Sequence, residues 1–181
     1  MLLDTCPNGW HRLDNAPRCF KLVETPETYD NAIDGCNSLQ PGATLAYVDS
    51  EEVHDFFVDT VLGDFSNWVY VGLKDQIGDD ADASHVWLKT GKSVDYYQYS
   101  NWAPGKPGGL VHRCVVYQRH VNYLPSMPDS WYWQDVLCSF VLAYMCEIGT
   151  VSTNFNIIKV PINQSFVKVS NLNNYLTIFM L

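Results

Sequence analysis

Basic residues are scarce in this chain: eleven Lys and Arg stand against twenty Asp and Glu, a net charge of −9. That balance excludes a protein that neutralises nucleic-acid phosphates or lies flat on an anionic bilayer. Long apolar runs are missing too. No stretch approaches the roughly 20 residues needed to cross a membrane, and the closing segment Tyr175 to Leu181 has only seven. Catalytic signatures are equally absent. The sequence contains no Gly-x-Ser-x-Gly, no His-Glu-x-x-His and no phosphate-cradling glycine loop, and His11, His54, His85, His112 and His120 form no known constellation. We therefore read the protein as a non-enzyme. Cys-x-x-Cys spacing does not occur, which argues against a zinc site. The opening Met1-Leu2-Leu3-Asp4 has neither the basic start nor the apolar run of a secretion signal, so a fragment of a longer exported chain is expected.

What is present points to a stapled domain. With 181 residues and 47% hydrophobic content the chain can bury one core and carry a short appendage. Six cysteines, six tryptophans and eleven tyrosines suit an oxidising, extracellular setting. Six cysteines allow fifteen pairings, and physics alone does not choose among them. Composition changes near Gly149, because every acidic residue precedes it and the remainder holds only Lys159 and Lys168 as charges. Residues 1–149 are read as the domain and 150–181 as a tail or linker. Weak alternation at Ile157 to Val160 and Phe166 to Val169 leaves strands or disorder open for that tail. It also holds the glycosylation pattern Asn163-Gln164-Ser165.

Two helices are predicted in the first third. One runs from about Pro26 to Leu39, with Thr25 as N-cap, and places Tyr29, Ala32, Cys36 and Leu39 on one stripe. The other begins at Ser50, with Glu51 and Glu52 at its positive end, and its apolar face of Val53, Phe56, Phe57, Val61 and Leu62 ends at Gly63. Short β-type runs follow at Trp68 to Leu73, Val86 to Leu88, Cys114 to Tyr117 and Ala143 to Ile148. The fold class is α+β. Lys89 to Arg113 shows little regular pattern, and a loop that long usually carries function or is disordered.

The order of motifs resembles the C-type lectin-like domain over roughly Cys6 to Glu147. Cys6-Pro-Asn-Gly-Trp10 with Cys19-Phe20 is similar to that family's N-terminal hairpin, and Val69-Tyr-Val-Gly-Leu73 to its central strand. Asn101-Trp102, Cys114, Trp133-Gln-Asp135, Cys138 and Tyr144-Met-Cys146-Glu147 follow in sequence. The resemblance implies two helices packed on small antiparallel sheets, a long functional loop, and three disulfides: Cys6 with Cys19, Cys36 with Cys146, and Cys114 with Cys138. No thiol is left for an intermolecular bond.

In sugar-binding members of that family, calcium in the long loop is held by Glu-Pro-Asn, a downstream acid and Asn-Asp. Here the first element reads Lys106-Pro107-Gly108, His112 replaces the acid, and Gln134-Asp135 replaces Asn-Asp, so Asp135 alone is unchanged. A hard cation needs the lost oxygens, and an ammonium in the cavity repels it. No cofactor is expected, calcium included. Asp75 and Asp79 match an auxiliary calcium position whose partners read His112 and Arg113, so Asp75, Asp79 and Asp135 are the remaining metal candidates. Lys106 is expected to pair with Asp135 or Asp79 in place of the metal. The family usually has a cis peptide before this proline.

No acid lies between Asp95 and Asp129, while Lys106, His112, Arg113, Arg119 and His120 do. The island either binds an anionic ligand, such as a sulfated or sialylated glycan, or balances the acidic remainder. The resemblance places Trp102 and Trp133 in the core, leaving Tyr97, Trp131 and Tyr132 as surface candidates for stacking on a sugar or anchoring a partner. Candidate ligand-binding residues are Lys106, His112, Arg113, Tyr97, Trp131, Tyr132, Gln134 and Asp135. Two readings stay open: a calcium-independent glycan-recognition module, or a module that engages a receptor or partner subunit at the cell surface or in extracellular fluid.

Overall fold

The structure, a computed structural model, describes residues 5–76, 85–108, 111–120, 130–150, 169–172 and 175–178. Cys6–Thr150 form one compact unit; Met1–Thr5 and Val151–Leu181 make up a second. In the second unit, β10 (Val169–Leu172) pairs antiparallel with β11 (Tyr175–Ile178). The rest of the predicted tail signals, Ile157 to Val160 and the Asn163 triplet, lie outside the described residues.

The first unit opens with β1 (His11–Arg12) folded onto β2 (Arg18–Glu27), and the Cys6–Cys19 disulfide closes the hairpin. β2 then pairs antiparallel with β9 (Leu142–Gly149) until the register shifts between Val23 and Glu27, where Pro26 has no N–H to give the ladder. That extended stretch corrects the predicted helix start. Helix α1 runs Tyr29–Leu39 behind Thr28, whose side chain caps nothing, and Tyr29 N–H donates instead to Cys138 O at 3.2 Å. Strand pairing has overridden the local proline signal. Tyr29, Ala32 and Cys36 are buried as predicted, but Leu39 at the last turn is 45% exposed.

After β3 (Thr44–Leu45), Ser50 caps α2 (Glu51–Phe56) by accepting Val53 N–H at 3.4 Å. The helix continues as a wider π turn, Phe57–Leu62, ending at Gly63 with φ 51°. Strand β4 (Val69–Asp75) is fully buried except Lys74. Its Gly72 passes so close to β3 that a Cβ would lie 2.7 Å from Leu45 O, which fixes glycine there. Strands β5 (His85–Trp87), β6 (Lys92–Ser93), β7 (Cys114–His120) and β8 (Ser130–Val136) complete the set, with a one-turn helix α3 (Val94–Tyr97) after β6.

Among the described residues, hydrogen bonds join nine strands into one network, β1-β2-β9-β4-β5-β6, with β3 on β9, and β7 linking β4 to β8. The pairing is antiparallel except for β4 beside β9, which run parallel at Val69↔Ala143 and Tyr70↔Tyr144. The α+β class therefore holds, with a joined sheet in place of separate small ones. All three disulfides form as the resemblance implies, and no free cysteine remains. Cys36–Cys146 spans 110 residues and ties α1 to β9; a closed loop of that size contributes about 4.7 kcal/mol in the chain-entropy account. The core fills from both faces, with Phe20, Phe57, Trp87, Tyr117 and Trp133 in one cluster and Tyr29, Tyr70 and Val116 in the other.

Candidate functional site

The irregular stretch is shorter than its sequence suggests, because β6 and α3 take up its start and only Gln98 to Arg113 connects α3 to β7. Its base is bolted to β8. Trp133 N–H donates to Asn101 O at 2.7 Å, and Ala103 N–H donates to Trp133 O at 2.9 Å. The indoles of Trp87 and Trp102 meet Trp133 edge-on at 5.4 and 5.6 Å, so a wall of rings stands behind the loop. Trp133 is fully buried, as the resemblance implies, while Trp102 is half-buried against the same core. Beyond Gly105, with φ 75°, the Lys106-Pro107 peptide is cis.

Strand β8 alternates from Ser130 to Asp135: Trp131, Trp133 and Asp135 are buried, Tyr132 and Gln134 half-buried. The pleat corrects the expectation that Trp131 and Tyr132 both face the surface. Trp131, at 3% exposure, belongs to the core and is no surface ring. Asp135 shares its inward face. Its carboxylate, 1% exposed, has Lys106 Nζ at 3.0 Å from Oδ1 and His112 Nδ1 at 3.5 Å from Oδ2. Neither contact is aligned as a hydrogen bond, so the Lys106 charge holds the carboxylate more than directed bonding does. At intermediate dielectric a unit pair at such separation attracts by about 5 kcal/mol before desolvation offsets most of it. Of the two partners expected for Lys106, Asp135 is the one it meets; Asp79 lies outside the described residues.

Other candidates go elsewhere. Arg113 does not project: its Nε and Nη2 donate to Asp75 O at 3.3 and 3.1 Å, and Nη2 to Gln76 O at 2.9 Å. It therefore clamps the end of β4, where Asp75 is 2% exposed. Tyr97 is half-buried against Tyr47, with ring centroids 6.0 Å apart. Tyr132 rests its ring edge-on to His120 at 5.6 Å, and Gln134 lies on the face of β8 opposite Asp135. The structure thus brings together Lys106, His112 and Asp135 and leaves the aromatic candidates outside that group. Of the basic island, Lys106 and Arg113 are engaged and His120 is buried, whereas Arg119 is exposed. Val111 is also open, at 65% exposure.

Could the site hold a metal? Asp135 offers a buried carboxylate, but the groups nearest to it are an ammonium at 3.0 Å and an imidazole at 3.5 Å. Such a donor set does not fit a hard divalent ion. Among the described residues no group of three or more His, Cys, Asp or Glu converges.

A second ion-pair centre escaped sequence reading. Glu147, fully buried, receives Arg18 through Nε and Nη2, Lys89 Nζ at 2.7 Å, and Tyr47 N–H at 3.2 Å. Arg18 also reaches Asp49 at 2.8 Å and lies 3.9 Å above the Tyr47 ring. Burial works against the guanidinium charge, yet Glu147 and Asp49 raise its pKa overall. Only the position of Glu147 directly after Cys146 in a β-run hinted at it.

Comparison with known proteins bears on this arrangement. The family model described as Lectin C-type domain matches residues 25–148. A lectin from Pleurodeles waltl is 28% identical over 150 residues, covering 81% of this chain and 78% of that protein. Versican core protein from Rattus norvegicus is 32% identical over 147 residues, 80% of this chain but only 4% of that much longer protein. Among solved structures, a calcium-independent type II antifreeze protein superposes with a TM-score of 0.62 at 26% identity, covering 81% of this chain and 96% of that one.

Proposed function

Since the chain belongs to the C-type lectin domain family, we propose that it is an extracellular recognition module that binds glycans through its long-loop face without calcium. The observation that carries this reading is the Lys106 ammonium 3.0 Å from buried Asp135. A fixed positive charge there takes the electrostatic role of the ion, and the loop keeps its shape with no metal to lose. That a calcium-independent protein of 26% identity shares the fold supports a metal-free loop. The similarity to a lectin over 81% of this chain supports a glycan ligand. Three disulfides support an oxidising compartment. Among the described residues no helix is long and apolar enough to cross a membrane. With Arg113 clamped, any preference for sulfated or sialylated glycans rests on Lys106, His112 and Arg119.

The second reading, a protein-interaction module, gains from Val111 and Tyr96, exposed at 65% and 63% on the segments around the loop. A glycan array run with EDTA and again with calcium separates the readings. Salt-sensitive signals on anionic sugars, equal in both buffers, are expected; signals that appear only with calcium overturn the proposal. A silent array beside a co-purifying protein partner favours the second reading. Chelation should also leave the melting temperature unchanged.

A further inference from the structure

His54 lies on α2, and its Nδ1 meets a side-chain amide and a phenol. Asn101 Nδ2 is 3.2 Å away and Tyr117 Oη is also 3.2 Å away. The Asn101 amide cannot be turned round, because Nδ2 also donates to Trp131 O at 2.8 Å and an amide oxygen there would face a carbonyl. Its second hydrogen is therefore left for His54 Nδ1 and for the Tyr117 oxygen, to which Asn101 also hydrogen-bonds. An amide nitrogen has no lone pair to give, so the Asn101 contact is bonding when Nδ1 accepts, as it does in the neutral imidazole with its proton on Nε2. Asn101 is the residue at which the long loop leaves the core, with its carbonyl on Trp133 N–H. A helix and the base of the loop are thus fastened through one titratable acceptor.

We propose that His54 is an acid-sensitive latch on the long loop: protonation at Nδ1 sets N–H against N–H, expels Asn101, and loosens the ligand-binding face. The link to ligand rests on the long-loop reading above; the latch itself does not. Groups facing His54 act in both directions. Glu51, Asp55 and Asp59, from α2 and its π extension, favour the charged form, yet burial outweighs them and holds the histidine below its ordinary pKa. From β7 comes Tyr117, its ring 5.8 Å from the imidazole, and burial raises that phenol well above its usual range, so it keeps its proton. Tyr99, beside Tyr117, is likewise raised by burial and stays neutral. The neutral latch is the closed form, and falling pH opens it.

Hydrogen exchange across Asn101 to Cys114, corrected for intrinsic rates and compared at about pH 7.5 and about pH 5, tests this without any ligand. The wild type should lose protection by about tenfold at the lower pH. His54→Gln keeps an acceptor oxygen that does not titrate and should hold the change to about twofold or less. His112→Gln should retain the wild-type response; if it abolishes the response, the switch is the Asp135 pair and the latch is wrong. Equal pH responses in wild type and His54→Gln also overturn it. Should His54→Gln fold poorly, the NMR titration of His54 in the wild type decides: a midpoint below the ordinary histidine value, coincident with loop deprotection, supports the latch, and a midpoint at or above that value refutes it. A loop that opens in acid while the glycan array stays silent would retain the latch and remove only its ligand.

Discussion

Arg18 grips Glu147 as a fork: Nε to Oε1 and Nη2 to Oε2 are both 3.0 Å, and the carboxylate is fully buried. The pair joins the N-terminal hairpin to the last strand of the first unit, 129 residues apart in sequence.

Removing one partner of such a pair leaves a buried charge uncompensated. Arg18→Ala should cost about 3–5 kcal/mol of stability. Arg18→Lys should recover only part of it, since an ammonium cannot make two parallel bonds. Urea unfolding of the two variants checks this, and a loss below about 1 kcal/mol for Arg18→Ala would mean Lys89 alone satisfies Glu147.

Lys106 and Asp135 should behave as a coupled unit. Lys106→Met leaves the carboxylate with His112 only, and a loss of about 2 kcal/mol or more is expected. Lys106→Met with Asp135→Asn should be more stable than the two single losses add up to, by about 1–3 kcal/mol. Additive losses would show that the contact contributes nothing.

Neighbours on β8 should differ sharply. Trp131, 3% exposed, should lose about 3–5 kcal/mol on replacement by alanine. Tyr132, on the other face and half-buried, should lose clearly less. Equal losses would contradict the alternation on which the site geometry depends.

Acid should weaken the fold through histidines buried in neutral form. His120, 5% exposed, is held below its ordinary pKa by burial, as is His54. A base whose folded pKa is depressed gives its full stability above the unfolded value, about 6.5, and that stability is lost as pH falls toward the folded pKa. Urea midpoints measured down from neutral pH should therefore decline over that window. His120→Phe should flatten part of the decline, and an unchanged slope would remove His120 from this account.

Much of the fold was legible in the chain. Cysteine order, the Val-Gly-Leu strand and the Trp-Gln-Asp run identified the family, because disulfide partners and a glycine pressed against backbone leave fixed marks at fixed spacing. The second helix was readable from Ser50 to Gly63 because its cap and apolar face are local. The first helix began later than Pro26 suggested, and Leu39 faced solvent, because a strand arriving from 115 residues away claimed Glu27.

Through the resemblance, the sequence by itself set an amine, Lys106, and an imidazole, His112, at positions where sugar-binding members of the family carry calcium ligands, because residue identity is read without the fold. Which carboxylate Lys106 meets, that Trp131 turns inward, that Arg113 clamps β4, and that His54 faces Asn101 were decided only by tertiary structure. Each depends on the pleat of β8 or on segments far apart in the chain, and the direction of a side chain across such a distance is set by packing, which no local pattern records.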